Sequence, residues 1–224
     1  MQTRRSTEES DLWLEQSSRP KPGLQLTVRN LKMTYAGPLL WTPVFHYDRV
    51  QRAFHWAMAA IILAAIVLGI WAFNLERGSE LKASLLFIHK SLGLTVLILV
   101  MARLSYRLAI GKPPYRQPLH TFNRIGSSVA HLLLYALMIL MPISGYVFTG
   151  AAGRPLPFFG LFEWPSLVPK DKVLSQLAGV FHYWGAWIIC SVLALHVLAV
   201  AWHSWVKKDG VFARMLPRSR DARV

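Results

Sequence analysis

The chain has a single cysteine, Cys190, among 224 residues. A lone cysteine excludes an internal disulfide, a cysteine-bound iron–sulfur cluster and the Cys-x-x-Cys-His attachment of a c-type haem. Cys190 lies in the middle of an apolar run, where a small buried residue is expected rather than a reactive thiol. Acidic residues are also scarce: 11 Asp and Glu stand against 25 Lys and Arg, for a net charge of +14. Such a balance often marks nucleic-acid binding. Here the cations sit in tails and connecting segments around apolar blocks, as membrane topology signals do, and no nucleic-acid partner is expected. No short apolar core with a small-residue cleavage site follows Arg4 and Arg5, so a cleaved signal peptide is not expected. No internal repeat or separate soluble domain is visible.

What the chain has in abundance is apolar sequence: 54% of residues are hydrophobic and the mean hydropathy is +0.34. These residues fall into four blocks, each long enough to cross a bilayer as a helix of about 20 residues. The blocks predict spans over residues 53–73, 84–108, 126–149 and 178–206. The expected fold is an all-α integral membrane bundle of four transmembrane helices. Residues 1–46 are polar and punctuated by Pro20, Pro22, Gly23, Gly37, Pro38 and Pro43, and are expected to be a disordered extension. Residues 47–217 form the bundle and 218–224 a basic tail. The N-terminal segment, the 109–125 loop and the tail carry most of the Lys and Arg. The other two loops carry Arg77, Lys82, Arg154, Lys170 and Lys172. The positive-inside rule therefore predicts that both termini are cytoplasmic.

The fourth span contains His182 and His196, fourteen positions apart. Fourteen residues at 3.6 per turn return to nearly the same face, about 21 Å further along the axis. One helix thus offers two imidazoles to one side, one near each membrane surface. His55 begins the first span and His89 the second, and the predicted topology puts His55 at the inner depth and His89 at the outer. Matching depths gives two pairs, His55 with His196 and His89 with His182, each suited to clamping a haem iron between two imidazoles. Ionisable residues inside a membrane are costly and are functional candidates by default. The competing reading is that these histidines make polar contacts between helices; two depth-matched pairs favour haem. Zinc would want three or four ligands converging on one point.

Arg103 follows His89 by fourteen residues and shares its face at the inner depth. A guanidinium pairs bidentately with carboxylates, which makes Arg103 a candidate partner for a haem propionate; the alternative is snorkelling to the interface. Lys90 is the corresponding candidate for the outer haem, and Gly93 a place where a porphyrin can approach the helix. His131 and His203 are rival ligands, with hydrogen bonding or proton handling, as at a quinone pocket, as the favoured role. His46 and His120 are expected at the surface. The Leu161–Pro165 stretch of the long loop is a candidate interfacial segment, and Pro142 and Gly145 mark a kink or a close packing point.

Several stretches together resemble the bacterial cytochrome b561 family, which shares its domain with the b-type subunits of nickel–iron hydrogenases. They are Tyr47–Trp56, Ile88–Gly93, Arg103, His131–Leu137, His182 with His196, and Lys208–Pro217. The resemblance covers about residues 47–217. It implies a four-helix bundle with two b haems, and it carries His55, His89, His182 and His196 as axial ligands. It implies electron transfer in the bacterial inner membrane between a quinone, such as ubiquinone, and a redox protein or small oxidant or reductant at the outer face. Some members resemble superoxide oxidases that pass the electron to ubiquinone. Lys82, Lys90, Lys170 and Lys172 suit steering an anion to the outer face. Two other readings remain open: a cytochrome b anchor subunit of a hydrogenase or dehydrogenase complex, and a haem-free membrane scaffold or transporter subunit.

Overall fold

A computed structural model describes residues 46–114 and 121–216. The expectations for the N-terminal extension before His46, for His120 and for the 218–224 tail fall outside the described residues. Within them the chain forms four long helices: α1 (Arg49–Asn74), α2 (Glu80–Ile110), α3 (Thr121–Ala151) and α4 (Lys172–Trp202). All four are long and apolar enough to cross a membrane. A two-stranded antiparallel hairpin, β1 (Pro157–Phe158) and β2 (Phe162–Glu163), lies between α3 and α4. Past α4 the chain continues through a π-turn, His203–Lys207, and a 3-10 turn, Phe212–Met215.

Each helix begins before the apolar block that predicts it, and in α1, α2 and α4 a capping residue starts the helix in polar sequence. Asp48 accepts from the Gln51 N–H at 2.9 Å and opens α1. Ser79 accepts from the Lys82 N–H at 3.3 Å and opens α2. Asp171 accepts from the Val173 and Leu174 N–H groups at 2.8 and 3.0 Å and opens α4, six residues before the predicted start at 178. A 31-residue helix is about 46 Å long against a hydrocarbon core of about 30 Å, so the extra turns extend into the interface.

The helices pack as two hairpins, α1 on α2 and α3 on α4, joined along α2 and α3. An apolar layer of Met58, Val96, Val100 and Met138 lies where α1, α2 and α3 meet. In sequence each of these residues falls between the two positions of its own helix that stand fourteen residues apart, 55 and 69, 89 and 103, or 131 and 145. Large apolar side chains such as Leu63, Ile98, Leu132 and Leu195 point outward, as the lipid-facing surface of a membrane bundle requires.

The expected interfacial segment is the hairpin itself. Phe158 stacks near Phe159, Phe162 and Trp164, with ring centroids 5.1 to 6.4 Å away. Ser91, fully buried on α2, accepts from the Phe159 N–H at 3.0 Å and lies 3.2 Å from the Pro157 carbonyl. At the opposite end of the bundle the 3-10 turn is tied to the start of α1. The Trp56 indole donates to the Met215 carbonyl at 3.0 Å, and the Tyr47 N–H donates to the Arg214 carbonyl at 3.2 Å. Arg214 reaches across to the Pro113 carbonyl beyond α2, at 2.6 Å.

Candidate functional site: two layers of four residues

The fourteen-residue spacing recurs in every helix. It relates His55 to Gly69 on α1, His89 to Arg103 on α2, His131 to Gly145 on α3 and His182 to His196 on α4. The structure assembles these eight positions into two layers. One holds Gly69, His89, Gly145 and His182. The other holds His55, Arg103, His131 and His196.

In the first layer the His89 and His182 rings face one another with centroids 6.0 Å apart and planes at 89°. Imidazole–metal bonds are about 2 Å long, so two rings on opposite sides of one ion have centroids roughly 6 Å apart. Both rings are held through Nδ1. His89 Nδ1 lies 2.8 Å from the Ala65 carbonyl. His182 Nδ1 lies 3.1 Å from the Met141 carbonyl and 2.9 Å from Ser144 Oγ, while the Ser144 hydroxyl donates to the same Met141 carbonyl at 2.8 Å. A carbonyl only accepts, so Nδ1 carries the proton and Nε2 keeps its lone pair, the usual arrangement of a metal-ligating histidine. The two glycines make room for the rings. A Cβ on Gly69 would sit 2.9 Å from His89 Cε1, and one on Gly145 would sit 3.1 Å from His182 Cε1. Gly93, one turn beyond His89, has nothing within 4 Å of where its Cβ would be.

The second layer is more polar. His131 and His196 are in ring contact at 5.5 Å, and His55 lies within electrostatic range of both. Arg103 Nη2 approaches His55 Nδ1 at 3.2 Å. A guanidinium only donates, so in this contact His55 Nδ1 is the acceptor. His131 Nδ1 bonds the Ser127 carbonyl one turn earlier, leaving its Nε2 free. Arg103 and Arg107 both lie over the Tyr135 ring, each 5.6 Å from its centroid.

The remaining sequence candidates have local partners. Lys82 donates to the Leu75 carbonyl at 2.8 Å and Lys90 to the Pro155 carbonyl at 3.1 Å, so both brace loops. Lys170 lies across Gly153 and, with Arg154, Glu163 and Trp164, lines an open cavity of about 610 Å³ beside the hairpin. His203 pairs with Asp209 within the C-terminal turn, and His46 bonds the Ala213 carbonyl at 3.2 Å. Gly69, Ser144 and Tyr135 are absent from the sequence-derived site. Gly69 carried a usable signal, fourteen residues after His55; the roles of Ser144 and Tyr135 depend on contacts between helices.

The family model described as prokaryotic cytochrome b561 matches residues 46–218. This chain belongs to the prokaryotic cytochrome b561 family. Cytochrome b561 homolog 2 of Escherichia coli is 30% identical over 174 residues, covering 77% of this chain and 92% of that protein. Cytochrome b561 homolog 1 of the same organism is 24% identical over 78% of this chain and 98% of its own length. A probable superoxide oxidase, CybB, of Yersinia pestis is 28% identical over 78% of this chain and 97% of its own length. As a cytochrome b561 family member the chain is a membrane electron-transport cytochrome, and b-type haem is the cofactor the family implies.

Proposed function

We propose that the protein is a di-haem electron-transfer cytochrome of the bacterial inner membrane. In this reading it has both termini in the cytoplasm and moves electrons between the ubiquinone pool and a redox protein or small molecule at the outer face. Superoxide is the small-molecule candidate that the similarity to the probable superoxide oxidase suggests. The observation that carries the reading is the His89–His182 pair, 6.0 Å apart with both Nδ1 atoms bonded to carbonyls.

The haems would supply one-electron chemistry, and the chain's residues orient them and set their surroundings. His89 and His182 would hold the outer haem through Nε2, and the Ala65 and Met141 carbonyls keep both rings in the tautomer that leaves Nε2 its lone pair. Gly69 and Gly145 let those rings lie close to α1 and α3. We assign His55 and His196 to the inner haem. Were His55 to hold the haem through Nε2, its proton would sit on Nδ1, and the Arg103 guanidinium, no longer accepted there, would be available to a carboxylate such as a propionate. The Met58, Val96, Val100 and Met138 layer keeps water from between the two sites.

A second reading of the inner site rests on a specific contact. His131 is in ring contact with His196 and has its Nδ1 bonded to a carbonyl, so it is the rival fourth ligand. Haem quantification and a reduced-minus-oxidised spectrum decide between them. Wild type should carry two b haems per chain. His182→Ala should lose one and His196→Ala the other. His55→Ala should lose the inner haem while His131→Ala keeps both; the reverse result assigns the ligand to His131. Well-folded wild type without haem would leave a membrane scaffold. Constant co-purification of a large dehydrogenase or hydrogenase subunit would make the chain an anchor subunit.

A further inference from the structure

Arg103 and Arg107 are one turn apart on the same face of α2, near its inner end. Like charges at that spacing repel, and cations within a membrane span are costly. Among the described residues the only ion pair is His203 with Asp209, so neither arginine has a carboxylate partner there. Both guanidiniums gather on the Tyr135 ring of α3. The Tyr135 hydroxyl is buried within reach of the Arg103 guanidinium, and its own proton has no acceptor. A buried hydroxyl donor left without an acceptor is destabilising. Two cations with no carboxylate partner among the described residues and a buried hydroxyl thus converge on one spot. It lies one turn from His131, beside the His55–Arg103 contact and next to a narrow cleft lined by Gln51, Phe54, Tyr106 and Met215.

We propose that Arg103, Arg107 and the Tyr135 hydroxyl form a single carboxylate cradle that takes a propionate of the inner haem. The inference rests on the inner-haem reading and adds Tyr135 and Arg107 to it as positioning residues. A carboxylate has two oxygens and about four lone-pair sites, enough for a guanidinium fork and a phenolic donor together. It would neutralise one of the two charges and satisfy the hydroxyl. The Tyr135 ring already holds both guanidiniums in cation–π contact, so the cradle needs little reordering. A phosphate headgroup of an anionic lipid has similar chemistry, but the polar atoms here face the histidine layer within the bundle.

The test is a redox titration of the purified full-length protein, wild type against Tyr135→Phe and Arg107→Gln. The inner wave is identified as the one that survives in His182→Ala. A donor or cation at a propionate favours the reduced, more negative haem, so each variant should lower the inner midpoint potential and leave the outer one unmoved. Loading the proteins with haem whose propionates are methyl esters should abolish the Tyr135→Phe shift. An unmoved inner potential overturns the proposal, as does an equal shift with the ester haem. Loss of co-purifying anionic lipid at constant potential also overturns it and makes the cradle a lipid site. A wild type with one b haem would instead defeat the inner-haem reading itself.

Discussion

Gly69 shows how little space the outer pair leaves. A methyl group there would press into the His89 ring at 2.9 Å from Cε1, well inside ordinary van der Waals contact. The ring is also tied to the Ala65 carbonyl on the same helix, so it has few ways to move aside. Gly69→Ala should therefore displace the Nε2 lone pair while leaving the helix intact, since alanine is the better helix former. The expected outcome is selective weakening or spectral perturbation of the outer haem, read from the reduced-minus-oxidised spectrum, with unchanged helicity by circular dichroism. An unperturbed outer haem in this variant would show that the His89 position tolerates the methyl group. At this scale the histidines were legible because imidazoles stand out in apolar sequence. Ser144 and Tyr135 were not, because their meaning depends on which residue of another helix lies opposite. The glycines were legible only through their fourteen-residue spacing from a histidine or as packing points, not as the room left for a ring.

At the level of elements, the Ser91 side chain hydrogen-bonds the hairpin between α3 and α4 to α2. The Ser91 hydroxyl serves the Phe159 N–H and lies near the Pro157 carbonyl from a fully buried position. Ser91→Ala leaves that N–H without its acceptor, at a cost of about 1–3 kcal/mol. The hairpin should loosen, seen as faster amide exchange across residues 155–165 and a lower thermal inactivation midpoint, with helix content unchanged. The helices themselves were legible to within a few residues. Their starts were missed because apolar content locates the membrane-buried portion, whereas Asp48, Ser79 and Asp171 start the helix in polar sequence by satisfying its first N–H groups.

For the whole molecule, the charge asymmetry of the loops predicts orientation. With both termini cytoplasmic, a fluorescent-protein fusion after Val224 should fluoresce, and an alkaline phosphatase fusion there should be inactive. A phosphatase fusion in the 150–170 loop should be active. The opposite pattern would invert the assignment of inner and outer layers without disturbing their composition. The two layers differ in kind: one combines two histidines with two glycines, and the other combines three histidines with an arginine.

The sequence alone determined the number of spans, the family and the fourteen-residue rhythm of the histidines, because hydropathy and helical periodicity are local properties. Only the tertiary structure decided which ring faces which. It set His131 beside His196, turned Arg103 to His55 and gathered two guanidiniums on Tyr135. Those outcomes depend on the rotation and offset of one helix against another, which close packing across the bundle sets and no single segment encodes.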